Sequence, residues 1–231
     1  MTTVMLVHGA WHQPTTWAKL ETELHALGHA TRTPALPSAG EHPTSGMHDD
    51  AATLAAELAT LSGPVVLLGH SYGGIPITEA AAGAGNVDRL IYLAAYMPDK
   101  EQSMYTLHGI PDPEDTDGLF PLVDEPRTAL YGDLPDAEAE QAVSRLVNQT
   151  VRSFAEKVDA AAWRNIPSSY IITEQDKAIP PALQEQMAAQ AAEIRRLPGG
   201  HSPFLSQPRR LAALIDEIVR SASTPMPGST A

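Results

Sequence analysis

Short apolar runs alternate along the chain with longer stretches whose apolar residues recur every three or four positions. This is the pattern of a parallel sheet wrapped by crossover helices. Val4-Met5-Leu6-Val7 predicts a buried strand that stops at His8-Gly9. Trp17, Leu20, Leu24 and Leu27 follow at helical steps, and Gly28 supplies a stop. A loop over 36–46 bearing Pro and Gly leads to a second helix over 50–61, with Leu54, Leu58 and Leu61 on one face. Val65-Val66-Leu67-Leu68 carries no polar residue and predicts a central strand covered on both sides. A helix over 74–82 tolerates Pro76 in its first turn, and 90–94 predicts the next strand.

The texture then changes. Pro, Asp and Gly punctuate 98–135 with no strand pattern, before a helical stretch over 137–147. Alternation resumes with a strand over 170–173, a helix over 181–191, a strand over 194–197 and a helix over 208–220. The expected architecture is an α/β fold, with a mainly parallel sheet flanked by helices. Its core is built from 1–97 and 164–220, with a small cap insertion at 98–163 and a frayed Ser/Thr/Pro-rich tail at 221–231.

The 231 residues suit one such domain. A net charge of -13 repels phosphate backbones and anionic lipid, so neither nucleic acid nor a membrane is an expected partner. The absence of cysteine excludes disulfides, thiolate metal sites and cysteine nucleophiles. Met-Thr-Thr runs directly into the first strand with no basic region or cleavage site, which predicts a cytoplasmic protein. None of the nine histidines falls in an H-E-x-x-H spacing, so no zinc site is expected, and no cofactor is implied.

The candidate chemistry lies where the central strand ends. Gly69-x-Ser71-x-Gly73 is a short pattern, but it stands between a strand and a helix, which puts Ser71 at the tip of a strand-to-helix turn. Glycines beside it let strand and helix approach closely, and the helix N-terminus turns backbone N–H groups toward a developing anion. A serine hydroxyl needs a base and a group to orient that base. Two histidines follow Ser71; His108 sits in the irregular segment, whereas His201 follows the last strand and is the stronger candidate. For the acid, Asp176 just past strand 170–173 leads, with Asp99 and Glu174 as alternatives. The backbone N–H groups of Ala10 and Tyr72 are the candidate oxyanion hole, with His8 bracing the loop. Trp11, Trp163 and Phe204 are candidate substrate contacts, and Tyr72, Met104, Leu119 and Phe120 offer further apolar wall.

Val-His-Gly-Ala-Trp near the N-terminus, Gly-His-Ser-Tyr-Gly-Gly in the middle and Gly-His-Ser-Pro-Phe late in the chain resemble the α/β-hydrolases of the plant methylesterase and hydroxynitrile lyase group, its bacterial esterase-like members above all. The segments Thr173 to Pro180 and His201 to Leu205 share the resemblance, which spans nearly the whole chain. It implies a Ser71-His201-Asp176 triad, an Ala10/Tyr72 oxyanion hole and hydrolysis of a small, largely apolar ester or lactone. (S)-selective hydroxynitrile lyases carry threonine where this chain has Gly9 and lysine where it has Ser202, so cyanohydrin cleavage is the lesser expectation. A non-catalytic ligand receptor on the same fold is the rival from another class.

Overall fold

The computed structural model describes residues 2–222. In chain order the strands are β1 (Thr3–Val7), β2 (Ala30–Arg32), β3 (Ala39–Gly40), β4 (Val65–His70), β5 (Val87–Leu93), β6 (Leu119–Phe120), β7 (Asn148–Thr150), β8 (Ser168–Thr173) and β9 (Glu193–Leu197). The α-helices are α1 (Ala18–Ala26), α2 (Met47–Ala59), α3 (Gly74–Ala80), α4 (Met104–Leu107), α5 (Pro126–Tyr131), α6 (Asp136–Val143), α7 (Val151–Ala155), α8 (Pro181–Ala188), α9 (Pro203–Ser206) and α10 (Pro208–Ala222). Six strands form one parallel sheet in the order β2-β1-β4-β5-β8-β9.

Alternation explains why the apolar runs are strands. In β4, Val65 and Leu67 point into one core with α2 and α3, while Val66 and Leu68 point into the other with α1 and α10. Met5 and Val7 split from Val4 and Leu6 in the same way. Both faces are covered, so the sequence reads as continuous apolar residue rather than as an alternating one. On α10, Leu211, Ala212, Ile215, Ile218 and Val219 make one buried stripe. Burying each large side chain of that kind contributes about 1.5–3 kcal/mol.

Several elements differ from the sequence expectation. β2 was not expected because three residues, of which only Thr31 is buried, carry no readable period. The 98–135 stretch, read as having no strand pattern, holds β6, which joins β7 and β3 in a three-stranded antiparallel sheet. Strands of two or three residues are shorter than one alternation. The helix expected over 137–147 ends at Val143, and Asn148 opens β7. The expected tail at 221–231 begins inside α10, which runs to Ala222. The rest of that stretch lies outside the described residues.

Connections after β1 and β4 leave on opposite faces of the sheet, α1 toward α10 and α3 toward α2. A crevice therefore opens at the carboxyl ends of these neighbouring strands, the usual place for a site in an open α/β sheet.

Candidate active site

Four strand ends supply the site. β4 delivers Ser71, β1 the His8–Trp11 loop, β8 Asp176 and β9 His201. Ser71 has φ of 53°, left-handed backbone that costs a non-glycine residue about 1–3 kcal/mol. The turn persists because its surroundings over-determine it. A Cβ on Gly73 would stand 2.6 Å from the Val7 carbonyl oxygen, so only glycine lets the turn press against β1. Tyr96 N–H donates to the Ser71 carbonyl at 3.1 Å and ties the turn to the end of β5.

The loops after β8 and β9 are zipped together, Glu174 N–H to the Leu197 carbonyl and Gln175 N–H to that of Gly199, both at 3.0 Å. This brings Asp176 Oδ2 to 2.8 Å from His201 Nδ1, with both side chains buried. Asp176 Oδ1 accepts the N–H groups of Ala178 (2.8 Å) and Ile179 (2.9 Å), and Oδ2 also accepts from Thr173 Oγ1 and Gln184 Nε2, both at 2.9 Å. Burial pushes this carboxyl up, but the His201 charge and hydrogen bond, with the Ile179 and Thr173 donors, hold it below the usual carboxylate range. With Nδ1 committed to Asp176, Nε2 is the nitrogen of His201 left for proton transfer.

Three further histidines surround the site, and burial keeps each of them neutral. His8 donates from Nδ1 to the Gly9 carbonyl at 2.9 Å and accepts Leu36 N–H on Nε2 at 3.3 Å. Its pKa is pushed down to about 4, chiefly by burial. His12 donates to the Ala10 carbonyl at 2.7 Å and accepts the Tyr131 hydroxyl at 2.8 Å, its pKa lowered to about 3 chiefly by burial. His70 donates from Nε2 to the His201 carbonyl at 2.9 Å, fixing the backbone of the candidate base from the residue beside the candidate nucleophile. His12, His70, Gln184 and the Asp133 carboxylate that accepts Gly200 N–H at 2.8 Å were not singled out from the sequence. His12 reaches Tyr131, His70 reaches His201 and Asp133 reaches Gly200 across long stretches of chain, and no local spacing announces these pairings or the bond from Gln184 to Asp176.

Ser71 and His201 line one cavity of about 420 Å³, with walls from Trp11, Tyr96, Met104, Tyr105, Phe120 and Phe154. This size suits a small ligand. The Ser71 hydroxyl makes no hydrogen bond among the described residues, and hydrogen bonds of this kind often tighten only when a ligand binds. Ala10 also lines the cavity. The N–H groups of Ala10 and Tyr72 donate to no backbone or side-chain acceptor among the described residues. His108 lines the cavity as well, 2.8 Å from the Tyr96 hydroxyl.

Trp163 and Phe204, expected as substrate contacts, lie elsewhere. Trp163 is held outside by its Nε1–H on the Pro98 carbonyl at 2.7 Å and by Arg164, 4.9 Å from its ring centre. Phe204 is fully buried against the rings of Trp17 (4.7 Å) and His70 (4.8 Å), supporting the site from beneath. The Tyr72 ring is also buried away from the cavity, its hydroxyl on Asp50, and Leu119 faces a separate surface groove. Asp99 pairs with Arg164, and Glu174 is exposed.

The parallel sheet and the cavity at its strand ends are the architecture of the α/β-hydrolase class. Residues 4–214 match the Alpha/beta hydrolase family, and the chain belongs to it. It is 33% identical to the α/β hydrolase nvfD of Aspergillus novofumigatus over 95% of this chain and 96% of that one. It is 28% identical to a pyrethroid hydrolase of Sphingobium wenxiniae, over 94% and 88% of the two chains. A solved Arabidopsis methylesterase superposes with a TM-score of 0.81 at 25% identity, covering 96% of this chain and all of that one. The relatives of this chain thus include esterase-type hydrolases.

Proposed function

We propose that the chain hydrolyses a small, largely apolar carboxylic ester or lactone through an acyl-enzyme on Ser71. The observation that carries this reading is the buried 2.8 Å bond from His201 Nδ1 to Asp176, made beside Ser71 in one cavity. His201 Nε2 takes the Ser71 proton as Oγ attacks the carbonyl carbon, and Asp176 keeps the imidazole in that tautomer and stabilises the imidazolium. The free N–H groups of Ala10 and Tyr72 receive the oxyanion. His201 then protonates the leaving alcohol and later deprotonates the water that clears the acyl group.

The mostly aromatic and aliphatic walls favour an uncharged substrate, as does the likeness to methylesterases and to a pyrethroid hydrolase. A Cβ on Gly9 would stand 3.0 Å from the His70 ring and from Ser71 Cβ. A threonine there, as in hydroxynitrile lyases, would need the His70 ring and Ser71 to give by a few tenths of an ångström, which favours hydrolysis over cyanohydrin cleavage. Purified protein is expected to cleave short-chain p-nitrophenyl esters and to be labelled by a fluorophosphonate. Ser71→Ala or His201→Ala is expected to lower kcat by about 10⁴-fold or more. Undiminished hydrolysis by Ser71→Ala would overturn the reading.

A further inference from the structure

Each proposed oxyanion donor stands next to a residue with left-handed backbone. Trp11 (φ 60°) follows Ala10, and Ser71 (φ 53°) precedes Tyr72. Neither conformation is comfortable for a non-glycine residue, so each needs an external hold. One continuous run of buried polar groups reaches both. Trp11 N–H donates to Gln149 Oε1 at 3.4 Å, and Gln149 Nε2 donates to Ser38 Oγ at 2.8 Å. Ser38 Oγ donates to Asp50 Oδ2 at 2.5 Å, and the Tyr72 hydroxyl donates to the same oxygen at 2.5 Å. The spare hydrogen of Gln149 goes to Ser153 Oγ at 2.7 Å, and Asp50 Oδ1 accepts Ser38 N–H at 2.9 Å. Val147 N–H holds the Trp11 carbonyl at 2.8 Å from the other side.

Ser38, Asp50, Tyr72, Gln149 and Ser153 are all fully buried. An apolar set would fill such a space with less desolvation. What a fully satisfied polar network adds is fixed geometry. Fixed geometry is what an oxyanion hole needs, because donors must meet the developing oxyanion at about 2.7–3.1 Å. A misplacement of about 1 Å can cost about a hundredfold in rate.

We infer that this run of hydrogen bonds, centred on Asp50, is a brace that sets the spacing of the two oxyanion donors, and that Ser38, Asp50 and Gln149 are positioning residues for acyl transfer at Ser71. The inference rests on the ester-hydrolase reading above. Gln149 and Ser153 come from the 98–163 segment, so the hole is complete only with that segment docked.

Tyr72→Phe removes one oxygen from the brace, and Gln149→Met cuts its other arm. With a short-chain p-nitrophenyl ester, each is expected to lower kcat about tenfold while KM stays within about twofold, because the brace serves the transition state. A trifluoromethyl ketone, which forms an oxyanion on Ser71, is expected to lose affinity in step with kcat/KM. The double variant is expected to lose less than the product of the two single losses. A lowered melting temperature with kcat and ketone affinity unchanged in both variants would overturn the inference. If the wild-type chain hydrolyses no ester, the hydrolase reading fails, and labelling of Ser71 by a fluorophosphonate then decides the brace. Labelling about tenfold slower in both variants supports it, and an unchanged rate defeats it.

Discussion

Asp176, in the loop after β8, and Asp50, at the start of α2, are the two buried carboxylates among the described residues, and their environments push them in opposite directions. Burial raises both. At Asp50 it prevails, and the pKa stands at about 6; the Ser38 and Tyr72 donors are uncharged, and the nearby Asp49 carboxylate pushes it further up. At Asp176 the His201 charge joins the hydrogen bonds, and the carboxyl falls below its ordinary value. Hydrogen bonds from neutral groups soften the penalty of a buried charge; a cationic partner reverses it. In the proposed mechanism Asp176 faces the imidazolium that forms on His201. Asp50 is built to gather hydroxyl groups.

Breaking the first carboxylate should have the larger effect. Asp176→Asn is expected to lower kcat by about 10³–10⁴-fold, since the imidazole loses its tautomer and the stabilisation of its cation. Retention of activity within about tenfold would place the acid elsewhere.

The second carboxylate is best read through stability against pH. A carboxyl raised on folding binds its proton more tightly in the folded chain, so it favours folding at low pH. That contribution is lost as the pH rises from about 4 through about 6. For a shift from about 3.9 to about 6, the full loss is about 3 kcal/mol. Urea unfolding at pH 4.5 and 7 should therefore show wild type losing ground to Asp50→Asn at the higher pH. Asp176 has the opposite sign, with stability present above about 3.9 and lost on acidification below it.

The smallest change is expected at Asp99, whose carboxylate is lowered by hydrogen bonding to Arg164 at the surface. Ion pairs of that kind contribute about 0–1 kcal/mol. Asp99→Asn should change ester turnover by less than about twofold, and a loss greater than that of Asp176→Asn would reassign the acid.

The local pattern carried most of the sheet. Val65 to Leu68 and Val4 to Val7 announce strands because the two faces of a covered strand are both apolar, and Ser71 announces itself because a strand, two glycines and a helix are adjacent in sequence. Asp176 and His201 are also placed by strand order, each just past the end of a strand. The weaker signals lie where elements are shorter than one period, as in β2, β3, β6 and β7. Residues 98–163 escaped detailed reading for that reason.

Side-chain destinations were beyond the pattern altogether. Trp163 and Phe204 are aromatic and lie near the right elements, yet one is held at Pro98 and the other under His70. Asp50 reads as an ordinary acidic residue of a helix's first turn until Ser38 and Tyr72 close on it, and Gln149 reaches Ser38 across 111 positions. Periodicity is a property of neighbours along the chain, and so the sequence alone determined the longer strands β1, β4, β5, β8 and β9 and where the serine turn sits. Hydrogen-bond partners and the pKa values they set depend on which distant groups share a dry space. Only the tertiary structure decided those, and with them the geometry around Ser71.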